Sequence, residues 1–200
     1  MRLLRSALVV MALGLLSVKA EAAPVLIDFE TLGDFEDVTN QFAADGILFA
    51  GATAFVSGAV GGSLNEVDFP PASGFAAVVN TGELRIDFAT GASSVSGLFT
   101  YVDGLTLTAY SGATLLGSVN SAFVSNYTGS GNPSNELLSL AFSDVITHVI
   151  LSAPIGSFTL DDLTVNTIDG TEPIPEPATA TLFLIGAGAA WAARRRRAHL

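Results

Sequence analysis

Two pairs of acidic residues near opposite ends of the chain have a spacing that suits metal binding. Asp28 and Glu30 are two residues apart, so in a regular strand their side chains point to the same side. Asp161 and Asp162 interrupt the apolar alternation of residues 158–165, as a β-bulge would. If the first and last strands lie close together, four carboxylates converge, and calcium prefers such oxygen ligands. The sequence therefore predicts a structural calcium site, with acids that merely face solvent at strand ends as the alternative.

Residues suited to catalysis are scarce. His148 is the only histidine before the C-terminal tail and the chain has no cysteine, so a serine–histidine or cysteine–histidine nucleophile has little support. We expect a histidine packed in a strand rather than a general base. Acidic residues are numerous enough to form a glycosidase-type pair by chance, so their abundance does not indicate an enzyme. We therefore expect no catalytic activity, with a polysaccharide hydrolase as the lesser alternative.

Aromatic side chains that can stack on a sugar are also few. The single tryptophan, Trp191, lies close to the C-terminus, and the phenylalanines fall mostly at strand positions typical of a core. Tyr101, Tyr110 and Tyr127 remain as aromatic surfaces with a polar end, and they are the candidate glycan-binding residues. A glycan site would need these tyrosines, polar loops or a bridging cation.

The segment over residues 23–171 must position these side chains, and its pattern indicates an all-β domain. Short runs rich in β-branched and aromatic residues are separated by glycine, asparagine and proline turns, one of them at Thr81-Gly82. Apolar residues alternate with Glu83, Arg85 and Asp87, which is typical of a strand with one buried face. We predict a jelly-roll-like two-sheet sandwich, with an immunoglobulin-like sandwich as the alternative.

The charge of this segment is strongly one-sided. Residues 23–172 contain seventeen acidic residues and one basic residue, Arg85, so the net charge is near −16. Affinity for nucleic acid rests on lysine and arginine, so we expect no nucleic-acid partner. Adhesion to anionic lipid is disfavoured for the same reason. The composition suits a solvated extracellular protein, or one that binds cations.

The first 22 residues have the organisation of a secretory signal peptide. Arg2 and Arg5 precede an apolar run over residues 7–18, and Ala20-Glu21-Ala22 is a small-x-small cleavage site. The apolar run is short for a membrane span. We predict a mature chain that begins at Ala23, with an uncleaved membrane anchor as the alternative.

The tail divides into three segments of different chemistry. Pro175, Glu176 and Pro177 lie in an extended, proline-rich stretch that a helix cannot include. An uncharged apolar run of 16 residues follows over residues 178–193. The run ends at a basic cluster formed by Arg194, Arg195, Arg196 and Arg197. The positive-inside rule places such a cluster in the cytoplasm, so these features predict a single short C-terminal membrane helix.

This order of proline motif, apolar helix and arginine cluster closely resembles the PEP-CTERM sorting signal. The resemblance implies recognition by exosortase, a membrane-embedded processing enzyme of Gram-negative bacteria. It also implies association with exopolysaccharide and with biofilm or floc matrix. Because the resemblance covers residues 175–200 alone, it concerns delivery of the protein rather than the work of its body. A plain tail that keeps the chain as a single-pass membrane protein is the alternative.

The two ends of the body resemble a more particular group. Residues 27–30 and 158–165 are similar to the first and last strands of galactose-binding-like and carbohydrate-binding-module jelly rolls. In those families, acids at such places often hold a structural calcium ion. The resemblance therefore implies the same role for Asp28, Glu30, Asp161 and Asp162.

These patterns predict a signal peptide over residues 1–22, a β-sandwich domain over residues 23–171 and a sorting segment over residues 172–200. We expect an exported, non-enzymatic protein that is held transiently in the inner membrane and sorted by exosortase. Its destination is the cell surface or the extracellular matrix, where its role is structural or associated with exopolysaccharide. A lectin-like glycan-binding module is the alternative.

Overall fold

Eight β-strands and three short 3-10 helices make up the regular structure of residues 23–168, the range that the computed structural model describes. The strands are β1 (Val25–Ile27), β2 (Asp37–Val38), β3 (Ile47–Val56), β4 (Ala76–Tyr101), β5 (Thr106–Ser111), β6 (Thr114–Asn120), β7 (Glu136–Ser152) and β8 (Phe158–Thr167). The 3-10 helices are Ala43–Asp45, Gly58–Val60 and Thr128–Ser130. Within this range no helix is long and apolar enough to cross a membrane. The predicted signal peptide and C-terminal membrane helix lie outside the described residues.

The strands form one antiparallel ladder in the order β1-β8-β4-β7-β5-β6, with β3 paired to both β4 and β2. β4 is central: its first half pairs with β3, its second half with β8, both halves with β7, and residues 78–79 of its first half also pair with β8. The first and last strands are direct neighbours, with Val25 opposite Val165 and Ile27 opposite Leu163. This adjacency is the condition on which convergence of the terminal acids depends.

β4 is a single strand of 26 residues, where the sequence predicts three strands and a turn at Thr81-Gly82. Thr81-Gly82 does not separate two strands as predicted, but the register of β3 against β4 shifts there, with Ala50 opposite Arg85 and Ala52 opposite Asn80. The register of β4 with β7 shifts between Asp87 and Ala92. Gly91 lies at this bulge with a φ of 82°, and a Cβ there would overlap Val145. The position therefore needs glycine, and the bulge lets one strand serve two sets of neighbours.

A continuous hydrophobic core receives one face of these strands. Leu84 and Ile86 are fully buried, as the alternation around them predicts. Phe29, Phe42 and Phe49 pack edge to face, with ring centroids 5.8 to 5.9 Å apart. The prediction of an all-β sandwich is confirmed. Its hydrogen-bonded ladder is continuous because β4 and β7 remain paired along most of their length.

Candidate functional site

A row of four cross-strand neighbours crosses the solvent face of the sheet. Leu48 on β3 lies opposite Asp87 on β4, which lies opposite His148 on β7. His148 in turn lies opposite Tyr110 on β5. Ile86, the neighbour of Asp87 along β4, is buried in the core. Because successive side chains of a strand point to opposite faces, the side chains of the row lie on the outer face of the sheet.

This row lines a cavity of about 750 Å³. The residues around it are Leu48, Arg85, Asp87, Phe88, Ala89, Tyr110, Gly112, Ala113, Thr147, His148 and Ile150. The rings of Tyr110 and His148 lie within 4° of parallel, with their centroids 4.9 Å apart. Tyr110 is half-buried and His148 is 8% exposed, so the stack holds the tyrosine ring in one orientation.

Beside the stack lies Arg85, the only lysine or arginine between residues 23 and 168. Its Nε donates to Oδ2 of Asp87 at 2.8 Å, and its Nη2 donates to Oδ1 at 2.5 Å. The hydrogen bond from the guanidinium lowers the pKa of Asp87 and raises the pKa of Arg85. The two side chains remain 42% and 40% exposed, so this fixed pair is accessible to hydrogen-bonding groups of a ligand.

Hydrogen bonds around His148 indicate which of its ring nitrogens carries a proton. Thr147 Oγ1 donates to the Tyr110 carbonyl at 3.2 Å and accepts from the Gly112 N–H at 2.9 Å. Because the Thr147 hydroxyl proton is already used in the hydrogen bond to the Tyr110 carbonyl, Nδ1 of His148 is assigned as a donor to Thr147 Oγ1, 3.2 Å away. Burial, and then the charge of Arg85, lower the pKa of His148. In this arrangement the Thr147 hydroxyl does not donate its proton to His148.

Of the residues in this row, the sequence predicts only Tyr110 as functional. A signal for Arg85 and Asp87 was present, since both alternate with buried side chains and Arg85 is the one base in an acidic domain. Their significance depends on the lateral order of β3, β4, β7 and β5. Strand order does not follow from the spacing of residues along the chain.

The three candidate tyrosines do not come together. Tyr101 is fully buried, and its hydroxyl donates to a carboxylate oxygen of Glu136. Burial, and then this hydrogen bond, raise the pKa of Tyr101 to about 12. The prediction of Tyr101 as a surface aromatic is wrong, because its position on β4 faces the core. Tyr127 is half-buried in the loop before the third 3-10 helix, apart from the residues that line the cavity, and its role in glycan binding stays a prediction.

The terminal acids form a second cluster of interest, in which Asp161 is central. Between Ser96 and Leu98 the register of β4 against β8 shifts, which confirms the predicted bulge at Asp161-Asp162. Asp162 has a φ of 47°, an uncommon conformation for a residue with a side chain. The bulge turns the Asp161 side chain into the domain, where it is 2% exposed.

The buried carboxylate of Asp161 accepts hydrogen bonds from three backbone N–H groups. Its Oδ2 accepts from Ala72 at 2.7 Å and from Ser73 at 3.1 Å. Its Oδ1 accepts from Asp162 at 2.8 Å. Burial raises the pKa of Asp161 to about 6 in spite of these donors. The contacts with Ala72 and Ser73 fasten the end of the loop between β3 and β4 to the last strand, β8.

Glu30 fastens the adjoining residues of the same segment. Its Oε1 accepts from the N–H groups of Phe75 and Ala76, both at 2.8 Å. Gly74 passes so close that a Cβ there would overlap the Glu30 carboxyl. Ser73 Oγ donates to Asp162 at 2.8 Å.

Asp28, the fourth acid of the predicted calcium site, accepts from the backbone N–H of Glu30 at 3.2 Å. Within residues 23–168 no group of three or more acidic, histidine or cysteine side chains is arranged to hold a metal ion. The four acids as placed do not fit a calcium site, since oxygens of Glu30 and Asp161 are occupied by N–H donors. These amides stabilise the carboxylates by hydrogen bonding and tie the domain ends together, which is the task expected of the ion.

Thermal unfolding of the mature protein tests the calcium prediction directly. We expect the same midpoint in calcium and in chelator, because an ion would have to displace the N–H donors of Glu30 and Asp161. An ion that binds only the native state would add about 2.7 kcal/mol at a hundred times its dissociation constant. A rise in midpoint that Glu30→Gln removes and Asp144→Asn keeps would establish the calcium site instead.

Comparison with known proteins identifies a sorting motif in the tail of this protein. Residues 173–197 match the family model of the PEP-CTERM protein-sorting motif, which confirms the resemblance seen in the sequence. This motif implies that the protein is exported, that exosortase processes it, and that its C-terminus is anchored in the membrane before cleavage. No curated protein matches the chain.

Two solved structures are similar to the chain at low level. One is the catalytic unit of a thermostable GH87 alpha-1,3-glucanase from Streptomyces thermodiastaticus, with 17% identity and a TM-score of 0.36 over 66% of this chain and 28% of that chain. The other is a mutant of CBM29-2, a family 29 carbohydrate-binding module, with 11% identity and a TM-score of 0.36 over 76% of this chain and 100% of that chain. The chain thus spans little more than a quarter of the glucanase. At this level of similarity neither an activity nor a ligand transfers to it.

Proposed function

We propose that the sorted protein is a non-enzymatic component of the cell surface or extracellular matrix that binds neutral polysaccharide. The binding surface is formed by Tyr110, His148, Arg85 and Asp87 and is called the Tyr110 face. The observation that carries this proposal is the fixed Tyr110–His148 stack beside the bidentate Arg85–Asp87 pair on one exposed sheet surface. A sugar ring offers an apolar C–H face and a rim of hydroxyl groups. An aromatic ring suits the first, and a charged pair with free donors and acceptors suits the second.

The apolar surroundings of these polar groups support the same function. Leu48 and Ile150 border the cavity beside the stack. Binding sites for small molecules and cofactors combine a mostly apolar lining with a few fixed polar groups in this way. Because His148 already holds the Tyr110 ring, a ligand loses little free energy in ordering it.

The charge of the body favours a neutral glycan over an anionic one. Arg85 is the one base of the segment over residues 23–172, and Asp87 already compensates it, while the net charge is near −16. An anionic polysaccharide would be repelled at distances up to the Debye length, about 10 Å at 0.1 M salt. A neutral polysaccharide approaches the Tyr110 face without this electrostatic repulsion.

Replacing Tyr110 with alanine should weaken binding to a neutral glucan by about fivefold, since an aromatic stacking contact contributes on the order of 1 kcal/mol. Affinity electrophoresis of the mature protein in gels containing soluble neutral β-glucans measures this change. Tyr127→Ala is the matched control, because Tyr127 is also half-buried but lies apart from the cavity lining.

Four other results would contradict the proposal. An equal loss for Tyr110→Ala and Tyr127→Ala would remove the assignment to this face. Retardation by a uronate-rich polysaccharide alone would remove the preference for a neutral chain. Release of reducing sugar from the glucan would favour a hydrolase. Binding to no glycan at all would leave a purely structural role.

A further inference from the structure

One edge of the sheet differs from the others in length and in charge. β1 has three residues and is followed by Asp28, while β2 has two residues and contains Asp37. Short edges with charged residues resist pairing with another chain. β6 has seven residues, Thr114–Asn120, and contains neither a charge nor a proline. Within residues 23–168 its backbone pairs with β5 on one side only, so its other side presents an open template.

The strand is held firmly in this position. Leu116 and Val119 pack against the hydrophobic core, while Leu115 is 59% exposed. The apolar side chain of Leu115 and the open edge therefore lie on a strand that needs no rearrangement before it pairs. Such an exposed, uncharged strand is the kind that adds to another sheet.

The distribution of charge indicates which partner this edge fits. Residues 104–135 contain no charged residue, although residues 23–168 contain fifteen acidic residues and one arginine. Two copies of the body repel each other wherever their acidic surfaces meet. The β5–β6 hairpin is a surface on which they can meet through uncharged side chains. A cationic partner would be drawn to the acidic surfaces rather than to this edge, so the charge favours an identical edge.

We propose that β6 pairs with β6 of a second copy, antiparallel across a two-fold axis, so that one sheet continues through a homodimer. An antiparallel pair of identical strands is self-complementary, as a two-fold axis requires. The contact adds backbone hydrogen bonds and covers Leu115 of both copies. Added salt tightens the dimer, because it screens the repulsion between the two acidic bodies.

Analytical ultracentrifugation of the mature exported protein tests this pairing. The wild-type protein should sediment as a dimer whose dissociation constant falls as salt is added. Ser118→Glu places like charges at the two-fold contact and should raise that constant at least tenfold. Ser152→Glu is the matched control: Ser152 is also an exposed strand serine, but its strand, β7, is paired on both sides, so the dimer should persist. A monomeric wild type, or equal dimerisation of Ser118→Glu and wild type, overturns the proposal.

The absence of cysteine from the chain allows a second test that does not depend on destabilising the interface. Single cysteines introduced in turn at each position over residues 114–120 scan β6. Under mild oxidation the position at the two-fold axis should give a disulfide-linked dimer, because a residue opposes its own counterpart there within disulfide range. Ser152→Cys should stay monomeric on a non-reducing gel. Equal cross-linking at Ser152 and at the β6 positions, or none at any β6 position, overturns the pairing.

Discussion

Replacing Asp161 with alanine should lower the free energy of unfolding of the mature protein by about 3 kcal/mol, because it leaves buried N–H groups without an acceptor. The donors that lose their partner belong to Ala72, Ser73 and Asp162. Water has little access to replace the carboxylate, since Asp161 is 2% exposed. For a domain of this size the loss corresponds to about 6–12 °C in the midpoint of thermal unfolding. Circular dichroism during heating and in urea measures both quantities.

A pH signature separates this effect from a general loss of packing. Burial holds the pKa of Asp161 at about 6, above the ordinary value of 3.8. The folded protein therefore holds this proton more tightly than the unfolded chain does. The stability contributed by the protonated carboxyl is present below about pH 4 and is lost as the pH rises through about 6. The difference between the wild type and Asp161→Ala should shrink over that interval, by on the order of 1–3 kcal/mol.

Asp144→Ala is the control for this prediction, because it makes the same change at an exposed carboxylate on β7. Its effect should stay within about 0.5 kcal/mol. If Asp161→Ala lowered the free energy of unfolding as little as Asp144→Ala, or if its effect were independent of pH, the Asp161 carboxylate would not stabilise the fold through these hydrogen bonds.

Replacing Arg194–Arg197 with four serines should abolish C-terminal processing in cells that contain exosortase. The arginines form the basic stop that fixes the orientation of the apolar run over residues 178–193, and without them the tail is not presented to the enzyme in the membrane. Mass spectrometry of the wild-type mature protein should show a chain that begins near Ala23 and lacks the arginine cluster. The four-serine variant should yield essentially no such species.

Two controls sharpen the sorting prediction. Arg85→Ser removes an arginine from the body, outside the matched motif over residues 173–197, and processing should continue. Expression of the wild-type chain in cells without exosortase should leave the tail intact. Recovery of wild-type mature protein that still carries Arg194–Arg197, from cells with exosortase, would contradict the sorting assignment.

Local patterns in the sequence account for the class of this fold. The alternation around Leu84 and Ile86 reports a strand with one buried face, and both residues are buried. The phase break at Asp161-Asp162 reports a bulge, which the register confirms. Thr81-Gly82 carries an ordinary turn signal, and the register of β3 against β4 shifts at this point without ending β4. Pairing on both sides of the shift keeps the chain in one strand despite the local turn propensity.

Hydrogen bonds between residues far apart along the chain could not be predicted from the sequence. Carboxylates in this body hold backbone amides far along the chain, as Asp161 does with Ser73 across 88 positions. Glu30 does so with Ala76 across 46 positions, and no spacing rule encodes such partners. The sequence predicted a calcium site from these acids. In the structure Glu30 and Asp161 accept hydrogen bonds from backbone N–H groups, because the segment that carries those groups lies beside them.

The sequence by itself determined the delivery of this protein, its all-β class and its acidic character. A sorting signal is linear: Pro175, Glu176, Pro177 and the arginine cluster are recognised in chain order, so their spacing suffices. Only the tertiary structure decided which tyrosine faces a cavity and which strand is left as an open edge. Both depend on the lateral order of strands, and that order arises from burial of the whole core rather than from any local run of residues.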